Sequence, residues 1–220
     1  MIRKATLPAI IADHNYVMIR DEFCEQLRRS LQDEPTSLPF IRNTLPTTPL
    51  VQTGELFQIF VIGGTKGEVA TVRADSQGAI TILQHKAYPK LAKFKTWDDL
   101  LDFIDPRVTS TTRAICLNFG FALVPVTNAK GNLDGIMIGN DTKGHLFRGL
   151  PQQPVGAAIE AYFQAKYGRD LVITVGNDVV CLAAAAMCPG QDTALAGIVG
   201  TGYNLYTSHL ILRHVSPEPK

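Results

Sequence analysis

The sequence has no long hydrophobic run, no charge imbalance and little cysteine, and each shortage removes a class of protein. Its longest unbroken apolar stretch, Val179 to Cys188, is about half of the roughly 20 residues that a membrane-spanning helix needs. Across 220 residues, 21 Lys and Arg stand against 20 Asp and Glu, a formal net charge of +1. Both signs are spread evenly along the chain, so there is neither a basic arm for a nucleic acid nor an acidic tail. The four cysteines, Cys24, Cys116, Cys181 and Cys188, lack the paired spacing of a zinc site. Three of them lie in apolar segments, where a free thiol behaves as a small hydrophobe, and disulfides are not expected. Arg3 and Lys4 open the chain, but Asp13 and His14 interrupt the apolar stretch Leu7 to Ile11 before it reaches the length of a signal-peptide core. The reading is a cytoplasmic protein with no membrane and no nucleic-acid partner.

What is present is 45% hydrophobic composition arranged in short periodic segments. Phe23, Leu27 and Leu31 recur at helical spacing and are followed by a Pro- and Thr-rich connector from Pro35 to Pro49, so residues 1–54 read as a helical arm plus a linker. From Leu56 the period changes to two. The runs Leu56–Ile62, Glu68–Ala74 and Ala79–His85, separated by Gly63–Gly67 and Ser76–Gly78, predict a three-stranded antiparallel meander. A helix follows, with Thr96 as N-cap, Asp99 three residues on, and Leu100, Leu101, Phe103 and Ile104 as its apolar face. Then come a buried strand at Ala114–Phe121, an amphipathic helix over 154–167, a short strand at Leu171–Val175, an Ala-rich helix at Asn177–Met187 and a strand at Ala194–Val199. A meander continued by α/β crossovers predicts an α/β fold, a mixed sheet flanked by helices. Residues 55–190 form one domain in this reading, and 191–220 the start of a second.

Several segments carry residue types suited to chemistry. Gly63-Gly64-Thr65 suits either a hairpin turn or a phosphate cradle, since absent side chains let backbone N–H groups approach an anion. Gly200-Thr201-Gly202 repeats that pattern after a later strand. Asn177-Asp178 stands where a buried strand runs into a helix, the carboxyl edge at which α/β proteins bind ligands. Asp178 there suits a base toward a hydroxyl, or simply a helix N-cap. Thr142-Lys143-Gly144 is a polar loop suited to a sugar or to solvent. The Lys-rich stretch His85 to Lys95 reads as a solvated face covering apolar surface, and His209 with His214 has no further ligand nearby for a metal.

Taken in order, these motifs resemble the hexokinase family. Phe23-Cys24-Glu25-Gln26-Leu27 is similar to its N-terminal helix, and Ser37-Leu38-Pro39-Phe40 with Leu45-Pro46-Thr47 to its Leu-Pro-Met and Pro-Thr connector. Ile59 to Thr65 looks like its first phosphate strand and turn, Trp97–Asp105 like its acidic aromatic helix, and Leu117–Val124 like its Phe-Ser-Phe-Pro strand. Thr142-Lys143-Gly144 matches its sugar loop, Asn177-Asp178 its catalytic pair, and Gly200 to Asn204 its Gly-Thr-Gly-x-Asn turn. The likeness runs from about Asn15 to Thr207.

The resemblance implies the ribonuclease-H-like topology shared by sugar kinases and actin, and phosphoryl transfer from Mg-ATP to the 6-hydroxyl of a glucose-like hexose. Asp178 would be the catalytic base, and Thr142, Lys143, Asn177 and Asn204 would bind the sugar. Gly63, Gly64, Thr65, Gly200, Thr201 and Gly202 would face the ATP phosphates. The chain also departs from the family. Val61 stands where an Asp holds the Mg²⁺ shell, Glu68 where an Arg follows the turn, Gly120 and Ala122 where Ser and Pro lie on the strand. Family members also continue through sugar-binding glutamates and an adenosine segment. The chain therefore resembles the sugar-binding half of a hexokinase, and its expected partners are the large-domain half or a second copy. Two expectations follow: Asn177, Asp178, Thr142 and Lys143 converge on one cleft, and the chain alone phosphorylates hexose weakly. An inactive sugar-binding homologue is the alternative.

Overall fold

The computed structural model describes residues 13–37, 50–77, 79–139, 141, 143–150, 152–186, 195–199 and 203–207. The chain divides into two compact units, Met1–Arg42 and Asn43–Lys220. In the first, helix α1 (Asp13–Leu31) ends with Arg28 and Arg29 in its last turn, where cations complement the carbonyl end of the helix. Gln26, buried on this helix, receives the Ser37 amide at 2.8 Å and donates to Glu22 at 2.7 Å, folding the exit of the helix back along it.

In the second unit the expected meander is present. Strands β1 (Leu56–Ile62), β2 (Gly67–Ala74) and β3 (Ile80–Tyr88) pair antiparallel, with a one-residue irregularity at Thr71/Val72. The first turn closes by a bond from the Gly63 amide to the Lys66 carbonyl at 2.9 Å. In the second, the Asp75 carboxylate accepts from Gln77 and Ala79 at 2.9 and 2.8 Å, an acidic side chain doing locally what a turn glycine does by conformation. Gly78 lies outside the described residues.

Helix α2 (Trp97–Ile104) begins at the predicted cap. Thr96 accepts from the Asp99 amide and the Asp99 carboxylate returns to the Thr96 amide, so two orphan donors are satisfied at once. A 3₁₀ turn, Asp105–Arg107, leads to β4 (Ala114–Phe119), which pairs parallel with β1. The strand ends at Phe119, two residues earlier than expected, because Gly120 turns to bond the Ile62 carbonyl. Next comes a hairpin that sequence reading missed, β5 (Leu123–Thr127) and β6 (Leu133–Met137), whose Pro125 disguises a strand and whose Asn128 side chain holds the turn.

After helix α3 (Val155–Tyr167), strand β7 (Val172–Gly176) pairs parallel with β4, and helix α4 (Asp178–Ala186) follows at once. Strands β8 (Leu195–Val199) and β9 (Tyr203–Thr207) form a separate antiparallel pair, of which β9 was also unforeseen. The main sheet has the order β3-β2-β1-β4-β7. One face carries the large core, with Phe60, Ile62, Leu117, Phe119, Ile173 and Val175 packed against α2 and α3. Phe57, Val72 and Ala114 form a smaller cluster on the other face, together with Cys116 and the Leu50-Val51 segment. This is the mixed α/β architecture anticipated. Among the described residues no helix is long and apolar enough to cross a membrane, and Cys24, Cys116 and Cys181 are free thiols, with burial pushing Cys116 up to about 11.

The start of α3 has no capping side chain of its own, since Pro154 occupies the cap. Fully buried Asp134 on β6 supplies it, accepting from Gly135, Gly156 and Ala157 amides at 2.7 to 2.9 Å. A methyl group on Gly156 would come within 2.9 Å of that carboxylate. Replacing Asp134 by Ala leaves three amides unpaired, those of Gly135 and Gly156 buried, and is expected to cost about 3 kcal/mol of unfolding free energy in urea titration; a loss under about 1 kcal/mol would mean that water or a neighbour replaces the carboxylate.

Candidate functional site

Parallel strands β1, β4 and β7 are neighbours in the sheet, spaced about 5 Å apart. Their carboxyl ends therefore bring Gly63-Gly64-Thr65, Gly120 and Asn177-Asp178 to one edge, because Asn118 pairs with Gly176 and Ile62 with Phe119. The approach is close. A methyl group on Gly120 would lie 3.3 Å from both the Gly63 Cα and the Ile62 carbonyl, so the serine found here in the resembling family would crowd this backbone.

Lys143 reaches the same edge from the loop after β6. Its Nζ donates to the Gly120 carbonyl at 2.5 Å and its side chain passes over Gly64. Its backbone is left-handed, φ 52°, as is that of Phe147 at φ 40°. Two non-glycine residues held there within five positions mark a loop whose shape the surroundings impose, at a cost on the order of 1–3 kcal/mol each. Asn177 caps α4, its Oδ1 accepting from Val180 at 3.0 Å, which leaves its Nδ2 outside the cap. Asp178 is the first residue of α4, half-buried, with one oxygen receiving the Val179 amide at 3.1 Å. Among the described residues no cation pairs with it. The helix-cap role that sequence offered for Asp178 thus falls to Asn177.

Of the other predicted site residues, Thr142, Gly200, Thr201 and Gly202 lie outside the described residues, and Asn204 is on β9 opposite Ile198 with only its backbone described. His209 and His214 also lie outside them.

Two residues stand here that sequence reading passed over. Lys93, taken for part of a solvated lysine face, donates to both the Gly64 and the Lys143 carbonyls. His145, fully buried, accepts the Phe94 amide on Nδ1 at 3.1 Å and points Nε2 at the Gly64 carbonyl, 3.0 Å away. An acceptor on one ring nitrogen and a donor on the other define a neutral imidazole with its proton on Nε2. Its ring packs among Phe94, Phe121 and Phe147, stacked on the last. Burial lowers its pKa from the ordinary 6.5, and the nearby Lys93 charge adds to this while the Gly64 bond opposes it. The visible signal was His145 directly after Thr142-Lys143-Gly144; its burial was not visible.

Solved structures share this arrangement of elements. A hexokinase from Schistosoma mansoni complexed with glucose aligns with a TM-score of 0.64 at 22% identity, over 89% of this chain and 46% of that one. A second solved hexokinase aligns at 0.54 and 19%, over 86% and 47%. The fold is that of the hexokinases. The chain spans about half the length of the solved hexokinases it matches. No protein-family model matches the sequence, and no curated protein is similar to it in sequence.

Mg-ATP, implied by that fold family, meets a divided site. Its phosphates suit the Gly63–Thr65 turn, where Thr65 is exposed, the Lys93 ammonium bonds the Gly64 carbonyl and the Lys143 side chain passes over Gly64. The divalent cation does not suit it. Val61 offers no oxygen, and among the described residues no three His, Cys, Asp or Glu side chains group to hold a metal.

His145 gives this edge a pH dependence. Its folded-state pKa lies below 6.5, so the unfolded chain binds the extra proton first. Unfolding free energy is therefore expected to fall as pH drops from 7 through 6.5 and to level off below the folded pKa. Urea titrations at pH 8, 7, 6 and 5.5 should show a steeper decline for the wild type than for His145→Gln; equal slopes would contradict a neutral buried imidazole.

Proposed function

We propose that the chain is the hexose-binding half of a hexokinase-type phosphotransferase. The observation that carries this reading is the meeting of a Gly-Gly-Thr turn, the Lys143 loop and Asn177-Asp178 at the carboxyl edge of three parallel strands in a hexokinase fold. That edge is where open α/β sheets bind ligands. A glucose-like hexose would lie against Lys143 and the Asn177 Nδ2, with Thr142 and Asn204 as further hydrogen-bond partners. Its 6-hydroxyl would face Asp178, whose half-exposed carboxylate would take the hydroxyl proton as the oxygen bonds to the γ-phosphorus of ATP and the bond to the bridging oxygen breaks, releasing ADP, a role worth about 10²–10⁴ in rate. Gly63, Gly64 and Thr65, with Gly200, Thr201 and Gly202, would lie against the phosphates of ATP.

Lys93 and Lys143 bring positive charge to the turn, and positioning with charge neutralisation dominates phosphoryl transfer. No step is assigned to a metal held by this chain, because among the described residues no three His, Cys, Asp or Glu side chains group to hold one. Full catalysis then calls on residues beyond these 220, from a large-domain half in the same or a separate chain, or from a second copy. A cytoplasmic setting accords with the free thiols. A second reading, a sugar-binding homologue without catalysis, is favoured by Val61, Glu68 and Gly120 together.

The test pairs binding with turnover. Glucose is expected to bind the purified chain with a millimolar Kd, about 4 kcal/mol, and Mg-ATP turnover to lie far below the ~10 per second of an ordinary enzyme. Asp178→Asn should lower residual turnover by about 10² or more while leaving the glucose Kd within a few-fold. Turnover that ignores Asp178 assigns the base elsewhere, and absence of glucose binding would remove both readings.

A further inference from the structure

The Gly64 carbonyl is the acceptor for two side chains from two different segments. Lys93 donates to it from the stretch between β3 and α2, and His145 Nε2 from the loop after β6. The same Lys93 ammonium also donates to the Lys143 carbonyl at 2.8 Å. Three segments with no regular structure are thereby tied at one point: the Gly63–Thr65 turn, residues 91–95 and the Lys143 loop. Backbone bonds continue the tie on both sides. Leu91 donates to the Thr65 carbonyl at 2.8 Å, Leu146 to the Phe94 carbonyl at 2.9 Å, and Arg148 to the Lys95 carbonyl at 3.0 Å.

We propose that Lys93 and His145 are positioning residues that clamp the phosphate-side turn to the sugar-side loop, so that the two ligand-facing segments are ordered or loosened together. The proposal rests on the functional reading above and adds to it a coupling between its two subsites and a sensitivity to acid. Toward the hexose both act indirectly, through the Gly64 and Lys143 carbonyls. A protonated imidazole would present an N–H on Nδ1 to the Phe94 amide, donor against donor, and place a second cation beside Lys93 on one carbonyl. The charged group acting on His145 is Lys93, from the segment before α2; Lys143, two positions earlier in its own loop, directs its ammonium to the Gly120 carbonyl, the β1–β2 turn offers the ring a carbonyl, and the packed rings of Phe94, Phe121 and Phe147 are uncharged. No carboxylate among the described residues bonds the ring to favour its charged form.

The experiment uses the whole 220-residue chain with glucose as the probe. Lys93→Met keeps the length of the side chain and removes both donors, and it is expected to weaken glucose binding by about tenfold, the size of losing hydrogen bonds to a charged group. Lys93→Arg, which keeps donors and charge, should restore binding to within about twofold. Wild-type affinity should fall as pH drops below 6.5, and that fall should be absent in His145→Gln. A melting temperature lowered in Lys93→Met with the glucose Kd and its pH profile unchanged would reduce Lys93 to a structural role and overturn the proposal.

Amide hydrogen exchange separates this from failure of the functional reading. Whether or not glucose binds, Gly64–Lys66 and Lys143–Leu146 should lose protection together in Lys93→Met, and together in the wild type once the pH falls through the lowered pKa of His145. Loosening of one segment without the other, or a ring ¹⁵N spectrum with the His145 proton on Nδ1, would also overturn the clamp.

Discussion

Parallel pairing of β1, β4 and β7 is the constraint from which the rest follows. A parallel neighbour is reached only by carrying the chain back across the sheet, and each return here brings extra structure with it: β2, β3 and α2 on the first, the β5–β6 hairpin and α3 on the second. Those crossovers cover one face with the aromatic core of Phe60, Phe119, Phe147 and Phe163. They also leave all three strands ending at the same edge, so turns far apart in sequence open side by side. Position at that edge, rather than any single motif, gives Gly64, Gly120 and Asp178 a shared chemical setting.

Charge is distributed at this edge in an unusual way. Backbone carbonyls of Gly64, Gly120 and Lys143 face inward and are met by two lysines and a neutral histidine, while the acid, Asp178, stands apart at the start of α4. The ammonium groups thus serve the loops themselves and at the same time bring positive charge to the turn. Val61 adds an apolar side chain near the turn, where the charges are the ammonium groups of Lys93 on the Gly64 carbonyl and Lys143 on the Gly120 carbonyl. Elsewhere the protein uses the same device of one charged group gathering several backbone or hydroxyl partners. Asp134 collects three amides under α3, and Asp105 collects Tyr162, Lys166 and Tyr167 at 2.7 to 2.8 Å, bonds that hold its carboxyl low despite the opposing effect of burial.

Much of this was legible in the residues. Period-two runs bounded by Gly turns determined the meander, Thr96 with Asp99 determined where α2 begins, and the placement of Asn177-Asp178 after a buried strand put them at the sheet edge. These are local signals, carried by neighbours in sequence, and local physics suffices to read them. The β5–β6 hairpin was not legible because Pro125 weakens the strand pattern and the turn depends on the Asn128 side chain. The α3 cap was not legible because its acceptor, Asp134, lies outside the helix.

Tertiary structure alone decided the roles of Lys93 and His145. In sequence, Lys93 is one of several lysines beside aromatic residues, and nothing local distinguishes the one that turns inward. Its two acceptors lie 29 and 50 positions away, and the nearest partner of the histidine on the turn lies 81 positions away. A hydrogen bond depends on distance and angle between atoms, and those are set only when the crossovers have packed. The sequence determined which groups were available and which strands would form; packing determined which carbonyl they share.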